Sequence, residues 1–374
     1  IGVDGFPVSR GDLGYARIHK EYDDFGNLVK ESYFGVDGRP VVYKKGDYSS
    51  IENIYVNGKC TRTSYYDLQG NLIINKELGY AAVKYQYDAY GQCTSEMYYG
   101  TDDQPVVSFK YFCAGSKYGY DGAGNRDEIS YIGIDGKKMV RSDLGYAQVK
   151  IKYDDFGNTL EENYFDAQGS PDVWEKGGYS SFKRKYAGER CEEITYYDRQ
   201  GNLVVAKNTG YARAQYLYDI FGQCIEEQYY GEGEGENPKR AVSTEYHCTG
   251  FKYKYDERGN KTHIQYEGLE GEVYEREDIG YAQEVRTFDG FDNITEVAFF
   301  DADGNPAVWK GGGCNLRRMV YDKGKCVEES VYSIIDGEPE GTVRRDTGYI
   351  TVRYQYDPYG QCISEKYYGA DGWP

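Results

Sequence analysis

Cys93 and Cys113 lie about ten residues to either side of Asp102-Asp103, so a hairpin turning there sets the two thiols opposite each other. Directly opposed, non-hydrogen-bonded strand positions come close enough for a disulfide. Cys224 and Cys248 form the equivalent pair around a longer, acidic connection, Gly231 to Pro238. A rival pairing joins Cys60 with Cys93, Cys191 with Cys224 and Cys326 with Cys362, and a third arrangement leaves the thiols free and semi-buried. Nine cysteines is an odd number, so at least one is unpaired within this chain or has its partner beyond Pro374. No CxxC pair occurs and the three histidines share no register, so no zinc site is expected.

Tyr43, Trp174 and Trp309 follow Pro40, Pro171 and Pro306 at corresponding places along the chain. An aromatic recurring at an exposed edge stacks on successive sugar rings; the competing role is to plug the seam between neighbouring packing units. Asp301-Ala302-Asp303-Gly304-Asn305 and Asp23-Asp24 are acidic, but they lack the further ligands and closing Glu of a calcium loop and read as turn residues. The Gly-rich run from Gly231 is acidic and precedes no helix, so it cannot cradle phosphate. No GxSxG or HExxH is present, and no carboxylate pair distinguishes one stretch from the others. The expectation is a chain that is not an enzyme and carries no metal or other cofactor.

What must position these groups is a repeat. GYAAVKYQYDAYGQ (Gly79 to Gln92), GYAQVKIKYDDFGN (Gly145 to Asn158), GYARAQYLYDIFGQ (Gly210 to Gln223) and GYITVRYQYDPYGQ (Gly348 to Gln361) are copies of one phrase with a period of about 33 residues. Each is followed by an aromatic pair and a second Gly-containing turn, as in YYGTDDQP (Tyr98 to Pro105) and FFDADGNP (Phe299 to Pro306). Gly14-Tyr15-Ala16, Gly145-Tyr146-Ala147 and Gly280-Tyr281-Ala282 mark a longer period of four units. The whole of 1–374 is therefore expected to be one array, with super-repeats at 14–144, 145–279 and 280–374 and the end of a preceding unit at 1–13. Both ends fall in mid-unit, as in a piece of a longer protein.

Within a copy, Val83, Tyr85 and Tyr87 alternate with Lys84 and Gln86, and Val352, Tyr354 and Tyr356 with Arg353 and Gln355. Period two is a strand with one buried face. Asp88-Ala89-Tyr90-Gly91 and its relatives supply turn chemistry, Asp bonding its own backbone and Gly taking a positive φ. The expected fold is all-β: a repetitive antiparallel β-hairpin array, either a β-solenoid or a spiralling sheet. The 44 tyrosines supply the burial, since each offers a large apolar face and a hydroxyl that stays wet.

The net charge of −18 argues against nucleic acid and against an anionic membrane surface. No apolar stretch approaches the ~18 residues of a membrane-spanning helix. The charge suits an exposed β array that must stay soluble and avoid edge-to-edge pairing.

The phrase Gly-x(4–6)-Tyr-x-Tyr-Asp-x-x-Gly-[Asn/Gln], carried by Tyr87-Asp88, Tyr153-Asp154, Tyr218-Asp219, Tyr255-Asp256 and Tyr356-Asp357, with a looser copy at Phe288-Asp289, resembles the tyrosine–aspartate repeats of bacterial Rhs proteins and of teneurins. The resemblance implies spiralling β shells that enclose a toxin segment, or surface modules in adhesion. The unit here is longer, and Asn or Gln replaces the Arg often found after the turn Gly. The second turn is also similar to the aromatic–Gly repeats of glucan- and choline-binding modules.

Together these features predict a non-catalytic, extracellular binding or adhesion module, secreted or at a bacterial cell surface. Its expected partner is a glycan or a surface protein, and its array ends could self-associate. The alternatives are a structural spacer, fibre or Rhs-like shell segment, and a targeting module of a larger enzyme or toxin.

Overall fold

The computed structural model describes residues 8–233 and 238–369; residues 234–237 of the acidic Gly-rich run, the first seven residues and the last five lie outside it. The chain packs as two compact units, Ile1–Lys183 with Asp198–Gly201, and Arg184–Tyr197 with Asn202–Pro374. Among the described residues every regular element is a β-strand, so the all-β hairpin array is what the sequence folds into.

The first unit contains β1 (Arg17–Tyr22), β2 (Leu28–Phe34), β3 (Ser50–Val56), β4 (Lys59–Tyr66), β5 (Ala82–Tyr87), β6 (Cys93–Tyr99), β7 (Gly115–Gly119), β8 (Glu128–Ile132), β9 (Gln148–Tyr153), β10 (Thr159–Phe165) and the start of β11 (Ser181–Ala187). The second contains β12 (Arg190–Tyr197), β13 (Arg213–Tyr218), β14 (Cys224–Tyr230), β15 (Gly250–Tyr255), β16 (Lys261–Glu267), β17 (Gln283–Phe288), β18 (Ile294–Phe300), β19 (Leu316–Asp322), β20 (Lys325–Ile335), β21 (Glu338–Gly341), β22 (Thr351–Tyr356) and β23 (Cys362–Tyr368). Strands pair antiparallel along the chain, alternating between a full hairpin and a short contact, except that β21 and β22 both pair β20. Thus β5 pairs β6 from Ala82↔Tyr99 to Tyr87↔Cys93, whereas β6 meets β7 only from Ser95↔Lys117 to Met97↔Gly115. The hairpin is the repeating unit, and the short contact joins one unit to the next.

Hairpins such as β5–β6, β13–β14 and β22–β23 close the same way. A bulge falls between Gln86 and Tyr87, and again between Leu217 and Tyr218 and between Gln355 and Tyr356. Such a bulge re-aims the last side chain of the strand. Gly91 then takes φ +81°, left-handed backbone that a side chain would strain. Gly79 has the same φ for a second reason: a Cβ there would lie 2.5 Å from the backbone nitrogen of Phe109. The small Ala81 and Ala82 beside it are fully buried.

The core is a file of rings rather than an aliphatic interior. In the first unit Tyr33, Tyr48, Tyr65, Tyr80 and Tyr98 are all buried. Neighbouring ring centroids lie 4.7 to 6.1 Å apart from Tyr33 to Tyr98. The second unit repeats this through Tyr196, Tyr211 and Tyr229, the last two stacked at 4.7 Å. Each such pair adds ~0.5–1.5 kcal/mol beyond its buried area. This is how a chain of mean hydropathy −0.78 finds a core.

Candidate binding surface

The tyrosine and aspartate of the repeated phrase both have structural work. The Asp88 carboxylate accepts from the backbone N–H of Tyr90 at 2.9 Å and of Gln92 at 2.9 Å. Where Asn follows the turn Gly, its side-chain amide reaches the other oxygen, as from Asn158 to Asp154 at 2.9 Å. That amide holds the Asp154 carboxyl below the usual range, and the Asn27 and Asn125 amides do the same to Asp23 and Asp121. The Tyr87 hydroxyl donates to the Cys60 carbonyl in the preceding hairpin at 2.8 Å, and Tyr218 does the same to Cys191 at 2.9 Å. Asp thus builds the turn and Tyr fastens it to its neighbour. Asp301 is likewise bonded within its own turn, to the N–H groups of Asp303 and Asn305. Among the described residues no cluster of three or more His, Cys, Asp or Glu could hold a metal ion.

The aromatics singled out in the sequence are half-buried. Tyr43 stacks on Tyr33 at 5.3 Å and Trp174 meets Tyr179 edge-on at 5.5 Å. Trp309 lies 5.8 Å from Phe299, with the Arg317 guanidinium 5.5 Å from its ring. Each sits five residues before a core position, bridged to Tyr48, Tyr179 and Cys314 respectively. They pack along the ring file, and of the three only Trp309 lines one of the cavities found among the described residues.

All nine cysteines are free thiols. The proposed opposition of Cys93 and Cys113 does not form. Residues 100–112 make two successive turns, closed by Gly100 N–H to Gln104 O and by Phe112 N–H to Ser108 O, so β7 starts only at Gly115. The register then places Cys93 and Cys113 at opposite ends of β6. Cys224 and Cys248 are separated along β14 in the same way. Cys113, Cys248 and Cys314 are fully buried because each takes the place that Tyr80 or Tyr146 holds in other units. Burial pushes every one of these three thiols up, Cys248 to about 11.

A different set of aromatics reaches solvent. Phe25, Tyr90 and Phe156 in the first unit, and Phe221, Phe291 and Tyr359 in the second, occupy the tips of the repeated turn and are 74 to 91% exposed. Tips of the intervening hairpins carry none: Ala123, Arg258 and Lys323 stand there instead. Beside Tyr90 runs a groove of about 600 Å³ lined by Gln92, Tyr118, Tyr120 and Gly124. Beside Phe221 runs its counterpart of about 500 Å³, lined by Gln223, Ile225, Tyr255 and Gly259. The Tyr90 to Phe221 spacing is that of the super-repeat, so one arrangement occurs twice. The sequence held the signal, an aromatic between Asp and Gly in alternate turns, but turn chemistry alone does not say which way that ring points.

No protein-family model matches the chain, and no curated protein does. Among solved structures it is similar to TcdB2-TccC3 without its hypervariable C-terminal region, at 13% identity and a TM-score of 0.34, over 94% of this chain and 18% of that one. It is similar to the Photorhabdus luminescens Tc holotoxin pore at 13% identity and a TM-score of 0.27, again over 94% and 18%. A porin-like protein from Bacteroides uniformis aligns at 11% identity and a TM-score of 0.16, over 78% and 91%. The chain thus spans less than a fifth of the length of the first two. Superpositions this loose say nothing of function, and the fold class rests on the strands themselves.

Proposed function

We propose that the chain is a non-catalytic extracellular binding module, secreted or at a bacterial cell surface, whose contact groups are the aromatic hairpin tips within each unit and whose partner is a neutral polysaccharide. The observation that carries this reading is the near-complete exposure of Phe25, Tyr90, Phe156, Phe221, Phe291 and Tyr359. A large ring held in water at the same place in alternate hairpins presents a flat apolar face for contact. Their recurrence at alternate hairpins suits a repetitive ligand, with each flat ring stacking on the apolar face of a sugar. The grooves beside Tyr90 and Phe221 add amide and hydroxyl groups for orientation. A net charge of −18 disfavours nucleic acid and anionic lipid as alternatives.

A second reading, a structural segment of an Rhs-like shell, is favoured by the way the repeated Tyr and Asp are consumed in fastening hairpins together. A glycan array distinguishes the two. Binding by the intact chain that a Tyr90→Ser/Phe221→Ser variant loses supports the tip surface, whereas loss only in Trp174→Ala/Trp309→Ala moves the site to the ring file. No binding by well-folded protein supports the structural segment.

A further inference from the structure

The ring file of the second unit breaks at two consecutive positions. Tyr266, Tyr281 and Phe299 follow one another at centroid distances of 5.8 and 4.6 Å. The next two places hold Cys314 and Val331, both fully buried, and rings resume with Tyr349 and Tyr367 at 4.9 Å. The breaks at Cys113 and Cys248 cost one ring each, since Tyr131 and Tyr266 stand at the following positions. Beside the double break opens a cavity of about 590 Å³, lined among others by Phe299, Trp309, Arg317, Glu329 and Tyr354. That volume lies in the range of small-molecule sites.

One carboxylate at this cavity, Glu329, has no tyrosine two residues further on. On β2, β6, β10, β14 and β23, a Glu on the ring face accepts the hydroxyl of the Tyr two residues further on, whereas β4, β8, β12, β16 and β18 carry Thr63, Ile129, Ile194, Ile264 and Val297 at that place. Tyr98 donates to Glu96 at 2.6 Å, Tyr164 to Glu162 at 2.9 Å and Tyr229 to Glu227 at 2.8 Å, and Tyr33–Glu31 and Tyr367–Glu365 are paired likewise. Glu329 holds the same place on β20, but the residue two further on is Val331. Its carboxylate stays largely buried beneath the Arg317 and Arg344 guanidiniums, 2.9 and 3.0 Å away. Both of those cations lie within 6 Å of the Trp309 ring. The equivalent places of the other super-repeats hold Thr63 and Ile194 before Tyr65 and Tyr196, so β20 alone of these three strands carries the acceptor, and it alone lacks the ring.

We propose that this cavity binds a phenol, a hydroxylated aromatic ring that takes the missing place beside Trp309 and Phe299 and donates its hydroxyl to Glu329. The site is independent of the hairpin tips. Aromatic stacking supplies the affinity, and the charge-assisted hydrogen bond to a partly buried carboxylate supplies the choice of hydroxylated over plain rings. Either a free phenol or the tyrosine of a peptide carries this chemistry.

Calorimetric titration of the full chain tests it, with p-cresol, toluene, methyl glucoside and a short Tyr-containing peptide as probes. Saturable binding of p-cresol at least about tenfold tighter than toluene is expected, because a site built for a hydroxyl rejects the ring that lacks one. Tighter binding of the peptide than of p-cresol makes a partner chain the source; the reverse makes it a free phenol. Val331→Tyr restores the ring from within and should abolish p-cresol binding while keeping the native circular dichroism and melting temperature. Glu329→Gln should bring p-cresol down to the affinity of toluene. Equal binding of p-cresol and toluene, preference for methyl glucoside, absence of binding, or unchanged binding by folded Val331→Tyr overturns the proposal. Should Val331→Tyr not fold, the Glu329→Gln comparison decides by itself.

Discussion

The hydroxyl of Tyr87 donates to the carbonyl of Cys60, 2.8 Å away and 27 residues earlier. The same bond runs from Tyr120 to Cys93 at 2.8 Å, Tyr153 to Arg126 at 3.0 Å, Tyr255 to Cys224 at 2.6 Å and Tyr356 to Cys326 at 2.9 Å. In these hairpins a strand-end tyrosine preceding the turn ties the hairpin to the one before it, whereas β17 ends in Phe288 and has no hydroxyl to donate.

Replacing Tyr87 by Phe keeps the ring and removes only this tie. The expected cost is about 1 kcal/mol, the net worth of one such hydrogen bond. Urea titration of Tyr87→Phe should show a lower midpoint at unchanged slope. An unchanged midpoint would mean that the bond contributes nothing to stability.

The thiols offer a second check. Cys362 is exposed, whereas Cys113, Cys248 and Cys314 are sealed in the core and pushed up by burial, away from the reactive thiolate. A disulfide-exchange reagent should label Cys362 first and leave these three untouched until the chain unfolds. All nine thiols should then titrate in denaturant. A count below nine without reductant would show that cross-links form.

Alkali should unfold the protein through its tyrosines. Burial pushes the Tyr255 and Tyr354 hydroxyls up to about 12, and those of Tyr80, Tyr98 and Tyr229 higher still. A group raised in the folded state contributes its full stability below its unfolded value, about 10 for Tyr, and loses it as pH rises through the folded value. Tyrosinate absorbance followed with circular dichroism should therefore lag behind free tyrosine above about pH 10 and then rise together with loss of β signal. Smooth ionisation near 10 with the β signal intact would contradict this.

The period-two alternation around Tyr85 and the Asp-x-x-Gly turn made strands and hairpins legible, because both are local and each is repeated with little change. The path from Tyr99 to Gly115 was not legible. Two turns in a row look in sequence like one long hairpin arm, and that misplaced Cys93 against Cys113. The direction of Tyr90 was hidden for a related reason: a ring between Asp and Gly fits a turn equally well pointing in or out. Missed too was the double break at Cys314 and Val331. Each residue is an ordinary core choice, and its oddity appears only when the strands are laid side by side and two neighbouring rings are found absent.

The ties from Tyr87 and its relatives all reach back about one hairpin and no further, 27 to 31 residues in every case. Within each unit, sequence separation between contacting strands therefore does not grow as hairpins are added. Chains dominated by such local contacts fold quickly, and the N-terminal part of a growing polypeptide folds before the rest is made. Each hairpin emerging from the ribosome finds its docking surface already formed by its predecessor, so gene duplication can lengthen the array without making it harder to fold.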